Sequence, residues 1–109
     1  MAGAEPFVDA KLAQRKVLLF SKTYCPDSKT VKKVLEGYKM PPQTYEVVEI
    51  EKRQDCNQIE NYLLILCLTD SRAVPQLFVN GKYVGGFKEI TRFHESGRLK
   101  NLLKEAGAM

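Results

Sequence analysis

The sequence predicts a single α/β domain built on a mixed sheet, and three observations carry that expectation. The apolar run Val17-Leu18-Leu19-Phe20 is followed by a helical pattern and then by a second strand-forming segment. Such a strand-helix-strand unit implies a parallel pair. Asn80-Gly81 stands between two further apolar runs, a hairpin signal that adds antiparallel strands because both turn residues tolerate positive φ. At 109 residues the chain is long enough for one domain with one modest core.

Each element follows from local pattern. Phe7, Val8, Leu12 and Ala13 recur at helical spacing and predict a short amphipathic helix from about Pro6 to Arg15. Lys16 to Ser21 is short and apolar enough for a buried strand. Val31, Val34, Leu35 and Tyr38 then keep a helical period, with Lys29, Lys32, Lys33 and Glu36 on the wet face, until Pro41-Pro42 ends the segment. Tyr45, Val47, Val48 and Ile50 predict a second strand. Asp55 or Asn57 can cap a helix carrying Ile59, Tyr62, Leu63, Leu66 and Cys67, which Thr69-Asp70-Ser71 breaks. Pro75 sits at the head of a strand, where it removes no central ladder bond. After the hairpin, Gly85-Gly86 leads into a helix bearing Ile90, Phe93 and His94, and a last helix runs from about Arg98 to Ala106 with Leu99, Leu102 and Leu103 inward.

Composition narrows the function classes. The chain has 17 Lys and Arg against 13 Asp and Glu, a net charge of +4, with the two signs interspersed. That balance suits small anionic substrates and gives no basic-and-aromatic stripe for nucleic acid. No apolar run reaches the length of a membrane span, and Met1 to Pro6 lacks the pattern of a secretory signal. The three cysteines, Cys25, Cys56 and Cys67, have neither disulfide-framework nor zinc spacing, so no metal site and a reducing, cytoplasmic setting are expected.

The chemistry concentrates in Lys22-Thr23-Tyr24-Cys25-Pro26-Asp27-Ser28. A strand that delivers Cys25 to the first turn of a helix places sulfur beside unpaired backbone N–H groups. Those donors, the positive end of the helix dipole and the charge of Lys22 favour a nucleophilic thiolate. Pro26 suits the first helical position, where its missing N–H is not needed. Cys67 lies among Leu64, Ile65, Leu66 and Leu68 and is expected to be an inert core residue. Cys56, at a polar helix start, is expected to be exposed and oxidisable, and His94 to be a helix-surface residue without a role as general base.

Phe20-Ser21-Lys22-Thr23-Tyr24-Cys25-Pro26, the Val74-Pro75 before the hairpin and the Gly85-Gly86 after it fall in one order, and together they closely resemble the glutaredoxins. The resemblance covers Phe7 to Ala106. It implies a thioredoxin-like fold, a four-stranded mixed sheet with helices on both faces, filling residues 1–109 as one glutaredoxin domain. It implies a glutathione-dependent thiol–disulfide oxidoreductase in which Cys25 attacks a glutathione mixed disulfide and glutathione serves as co-substrate. The implied partners are glutathione, glutathionylated proteins and low-molecular-weight disulfides, with no nucleic acid and no membrane, and the implied state is a monomer. Lys22 matches a lysine that pairs with a glutathione carboxylate, and Tyr24 a wall beside the sulfur. Ala73, Val74 and a cis Pro75 match the segment whose backbone pairs with the glutathione peptide. Gly86, Phe87, Lys88 and Glu89 match the turn and helix start that hold its γ-glutamyl end.

Several positions depart from the family pattern. Ser28 replaces a second cysteine; its hydroxyl can hydrogen-bond the sulfur but cannot resolve a disulfide, so a monothiol mechanism is implied. Asp27, within the expected glutathione site, replaces an aromatic residue and brings a negative charge beside the nucleophile. Ala73 removes a hydroxyl, and Lys88 leaves the amine contact to Glu89. Glu60 falls where members often have Gln or Arg reaching the glycyl carboxylate. The segment from Ile59 to Pro75 is two residues longer than usual, with Asp70 in place of a glycine. Two alternatives stand beside the enzyme. One is a dimer holding an iron–sulfur cluster through Cys25 and glutathione, although the members suited to that role carry Gly and Phe between Cys and Ser. The other is a glutathione-binding member with weak exchange.

Overall fold

The computed structural model describes residues 4–66 and 74–109. In chain order these form α1 (Ala4–Gln14), β1 (Val17–Ser21), α2 (Pro26–Glu36), β2 (Tyr45–Glu49), α3 (Cys56–Leu66), β3 (Gln76–Val79), β4 (Lys82–Gly85), α4 (Phe87–Ser96) and α5 (Arg98–Glu105). The strands make one mixed sheet in the order β2-β1-β3-β4. β1 pairs parallel with β2, Val17 opposite Tyr45, and antiparallel with β3, Val17 opposite Val79.

The period of two along β1 builds two cores at once. Leu18 and Phe20 face Val8 of α1 and Ile59 and Leu63 of α3, joined by Val48, Ile50, Val74 and Phe78. Val17 and Leu19 face the other way, onto Val31 and Leu35 of α2, Ile90 of α4 and Leu99 and Leu103 of α5. A strand buried on both faces reads as a continuous apolar run, and all five residues of β1 are buried. Phe20 and Phe78 meet edge to face, with ring centroids 5.9 Å apart. Helices therefore cover both faces of the sheet.

The hairpin forms as expected: Asn80 and Gly81 have φ of 52° and 77°, the left-handed pair that a two-residue turn between twisted strands requires. A register shift between Leu77 and Phe78 bends the β3–β4 pairing. Where two caps were open for α3, the helix starts directly after Asp55, whose carboxylate is held by Arg53 at 2.8 and 3.1 Å, while Asn57 lies within the helix.

Two boundaries and the burial of two residues differ from expectation. α2 stops at Glu36, well before Pro41-Pro42, because Gly37 and a turn closed by Tyr38 N–H to Leu35 O and Lys39 N–H to Glu36 O take over, with Lys39 at φ 54°. Tyr38 thus leaves the helix, and its hydroxyl meets His94 Nδ1 at 2.6 Å. Ile50 lies one residue past β2, fully buried, and its N–H continues the ladder to Ser21 O. On α1, Ala13 is exposed, and on α5, Leu102 is only half-buried. The expected break at Thr69-Asp70-Ser71 lies outside the described residues, as do Cys67 and Ala73.

Candidate active site

Cys25 occupies the N-cap of α2 with extended backbone, φ −81° and ψ 119°, and Pro26 begins the helix. Its N–H donates to Lys22 O at 3.1 Å, closing the turn that leaves β1, and its own carbonyl accepts the N–H of Lys29. The thiol is half-buried and packs against the core that contains Phe20, Ile59 and Val74. Its Sγ lies 3.5 Å from the carbonyl oxygen of Val74. The Val74-Pro75 peptide is cis, and both residues are buried directly ahead of β3.

The same segment joins the thiol to the glycine turn. A Cβ placed on Gly86 would lie 3.3 Å from Pro75 O, a tight contact that a glycine avoids. Gly85 has φ 153°, and a Cβ there would collide with the Glu89 side chain at 2.4 Å. Gly86 caps α4, Phe87 is its first residue, and Glu89 Oε1 reaches back to accept the Gly86 N–H at 2.8 Å. Glu89 thus caps the helix and adds negative charge at its start. Lys88 is exposed.

Around the thiol, Tyr24 is 64% exposed and Asp27 is also open to solvent. Thr23 anchors the turn from below. Its hydroxyl hydrogen-bonds the Glu51 carboxylate, which also accepts the Thr23 N–H at 3.2 Å. The hydroxyl contact, more than any other influence, holds the Glu51 carboxyl below the usual carboxylate range.

Two neighbours of the thiol do not pair with it. Ser28 does not hydrogen-bond the sulfur: its hydroxyl is buried without a hydrogen-bond partner, and the thiol turns instead to Val74 O. Lys22 does not stand as an open charge. Its Nζ is 2.8 Å from Glu60 Oε2 on α3, and the two side chains are only 18% and 9% exposed. The hydrogen bond to Glu60 raises the Lys22 pKa above the ordinary lysine value, against the opposing pull of burial. This pair joins positions 38 residues apart and was not anticipated, although opposite charges at two positions expected to face the same ligand were a signal for it.

Cys56 is half-buried rather than open, close enough to Lys22 and Glu60 for their charges to act on it. Burial first, and then the Glu60 carboxylate, push its thiol upward. His94 is exposed on α4, as expected, with Tyr38 as its partner. Among the described residues no cluster of three or more His, Cys, Asp or Glu forms a metal-binding group, and no helix is long and apolar enough to cross a membrane.

Comparison with known proteins adds a direct measure of kinship. The glutaredoxin family model matches residues 17–84, more than half of the chain. A glutaredoxin of Ricinus communis is 42% identical over 95 residues, which span 85% of this chain and 86% of that protein. Oxidised glutaredoxin 2 from Chlamydomonas reinhardtii superposes with a TM-score of 0.85 at 37% identity, covering 99% of this chain and 97% of the other. A buckwheat glutaredoxin–glutathione complex gives 0.84 at 30% identity, covering 97% and 92%. With a half-buried cysteine at a helix start, a cis Val74-Pro75 beside it and a glycine turn against that proline, the chain belongs to the glutaredoxin family of thiol–disulfide oxidoreductases.

Proposed function

We propose that the protein is a glutathione-dependent oxidoreductase that exchanges glutathione on protein thiols and small disulfides by a monothiol mechanism. The observation that carries this reading is the 3.5 Å approach of Cys25 Sγ to Val74 O, with serine rather than cysteine three positions on. Sulfur at that place sits beside extended backbone that a bound tripeptide can pair with as a short added strand. The similarity to a glutaredoxin solved with glutathione supports the choice of ligand.

In the first step the Cys25 thiolate attacks the glutathione sulfur of a mixed disulfide. The new bond joins Cys25 to glutathione, and the substrate thiol leaves as a thiolate that takes a proton from water. The attacking sulfur stands at the N-cap of α2, where the first backbone N–H groups of the helix have no helical partners. In the second step a glutathione thiolate attacks the same glutathione sulfur, restoring Cys25 and releasing oxidised glutathione. Ser28 has no sulfur with which to compete. Val74 and Pro75 align the tripeptide, Gly86 and Phe87 present the start of α4 to its γ-glutamyl end, and Glu89 faces the amine there. Lys22 takes a carboxylate, Tyr24 walls the thiol, and Asp27 and Lys88 set the charge at the rim. A monomer acting in the cytoplasm fits the chemistry, because reduced glutathione must be abundant for the second step. No feature of the site favours the cluster-bridging alternative over exchange.

The test is product analysis. Oxidised glutathione should leave one glutathione on Cys25 as the dominant adduct, read by intact mass and non-reducing peptide mapping. A dominant disulfide from Cys25 to Cys56 or Cys67 would overturn the monothiol scheme.

A further inference from the structure

The chain that follows β2 takes hold of the chain that follows β1. Ile50 continues the parallel pairing: its N–H donates to Ser21 O at 3.0 Å, and its side chain is fully buried. On either side of Ile50 stands a glutamate with its own grip. Glu49 binds Lys32 on α2 at 2.7 Å. Glu51 binds Thr23 twice, one carboxylate oxygen accepting the N–H at 3.2 Å and the other accepting the hydroxyl.

Thr23 lies two residues before the nucleophile, inside the turn that the Cys25 N–H closes onto Lys22 O at 3.1 Å. Both ends of that turn are fixed. Ser21 is held in the sheet ladder, and Cys25 O accepts the Lys29 N–H of α2 at 3.0 Å. The outer part is different: Thr23 and Tyr24 are exposed, so packing gives them little order. The two bonds to Glu51 tie this part to the end of β2, where a bond from the Arg53 N–H to Ile50 O closes the next turn at 3.2 Å. Attack on a disulfide needs the incoming sulfur aligned with the bond that breaks, so order in this turn bears on the rate.

We propose that Glu51 is a positioning residue for the exchange, holding Thr23 so that the turn presents Cys25 Sγ in line with the disulfide it attacks. Glu51 acts through Thr23 rather than on the sulfur. Its charge would work the other way, because loss of a nearby carboxylate favours a thiolate. Charge alone therefore predicts that Glu51→Ala reacts faster, and positioning predicts that it slows. The inference deepens the glutathione reading and rests on it.

In the experiment the whole protein, in excess and without free glutathione, meets a cysteine peptide in mixed disulfide with glutathione. In this single turnover Cys25 bonds to the glutathione sulfur, and one peptide thiolate leaves and takes a proton from water. Its release rate is compared with alkylation of Cys25 by iodoacetamide, read by peptide mapping, which needs no aligned disulfide. Glu51→Ala should slow release about ten-fold and alkylation less than about two-fold, since a misplacement of about 1 Å can cost about a hundred-fold in an aligned reaction. Glu51→Gln keeps an oxygen for the Thr23 N–H and an amide N–H for the hydroxyl oxygen, and should restore release to within about three-fold of wild type. Thr23→Val should slow release too, and the double variant should be no slower than Glu51→Ala, because both act through one contact. Wild-type release in folded Glu51→Ala, or equal loss in release and alkylation, would overturn the proposal and leave the proposed function standing. A double variant slowed by the product of the single losses would do the same. Thr23→Val decides by the same comparison if Glu51→Ala fails to fold. No release by wild type, with Cys25 still alkylated, would overturn the function and this inference together.

Discussion

Cys25 Sγ donates toward the carbonyl oxygen of Val74 across 3.5 Å, while the hydroxyl of Ser28, one turn into α2, is buried and donates to nothing. The two positions of the Cys-x-x-Ser motif therefore have separate fates, one turned to the sheet and the other sealed in the helix. Cys25→Ser should abolish exchange of glutathione mixed disulfides. Ser28→Ala should keep most of it and leave stability within about 1 kcal/mol of wild type or above it, since a buried unpaired hydroxyl is removed. Steady-state exchange and chemical denaturation check both, and equal loss of activity in two folded variants would give Ser28 a part in the chemistry.

Gly85 tests the glycine turn. Its φ of 153° and a Cβ position 2.4 Å from Glu89 Cβ leave no room for a methyl group. Gly85→Ala should destabilise the fold by about 1–3 kcal/mol, from backbone strain and overpacking. It should also displace Glu89 from the Gly86 N–H. Denaturation, together with hydrogen exchange at the Gly86 amide, measures the two effects, and a variant with wild-type values in both would contradict the geometry.

Tyr45 offers the opposite sign. Its hydroxyl is buried at the start of β2 without a hydrogen-bond partner, and burial raises its pKa well above that of a free tyrosine. Tyr45→Phe removes the unpaired group and keeps the ring, so stability should rise by about 0.5–1 kcal/mol. A fall in the denaturation midpoint would reveal a partner for the hydroxyl.

Alkaline pH should expose the tie between α1 and α3. The Tyr62 hydroxyl donates to Asp9 at 2.7 Å, and that bond pushes its pKa up to about 12. A pKa raised in the folded state means that the contribution is whole below about pH 10, the ordinary tyrosine value, and fades as pH climbs through 12. Denaturation midpoints of wild type and Tyr62→Phe should differ at pH 9 and converge by pH 12. A constant gap would show that the bond does not couple to ionisation.

Much of the architecture was legible because it is written at short range. Val17 to Phe20 needed only an apolar run, Asn80-Gly81 only its two turn residues, and Cys25-Pro26 only the helix start behind it. The misreadings arose where several signals competed within a few residues. Pro41-Pro42 is a strong stop, yet Gly37 and the turn at Lys39 end α2 first. Ala13 satisfied helical spacing, but only the placement of α3 beside α1 decides which stripe of α1 is covered. The site shows the same division. Cys25, Pro75 and Gly86 follow from motifs, whereas the pairing of Lys22 with Glu60 depends on how α3 lies against the turn after β1. No local pattern specifies that arrangement.

The thiol's surroundings are assembled from distant parts of the chain. Its hydrogen-bond acceptor lies 49 residues downstream, and the carboxylate that holds Lys22 is 38 residues from it. A nascent chain ending at β2 would therefore present Cys25 in its turn with neither neighbour in place, as an ordinary accessible cysteine. The contact between Cys25 and Val74 forms only when the segment ahead of β3 docks beside β1. The rate at which Cys25 is alkylated during refolding is thus a clock for that docking event, recorded by the same sulfur to which the exchange is assigned in the proposed function.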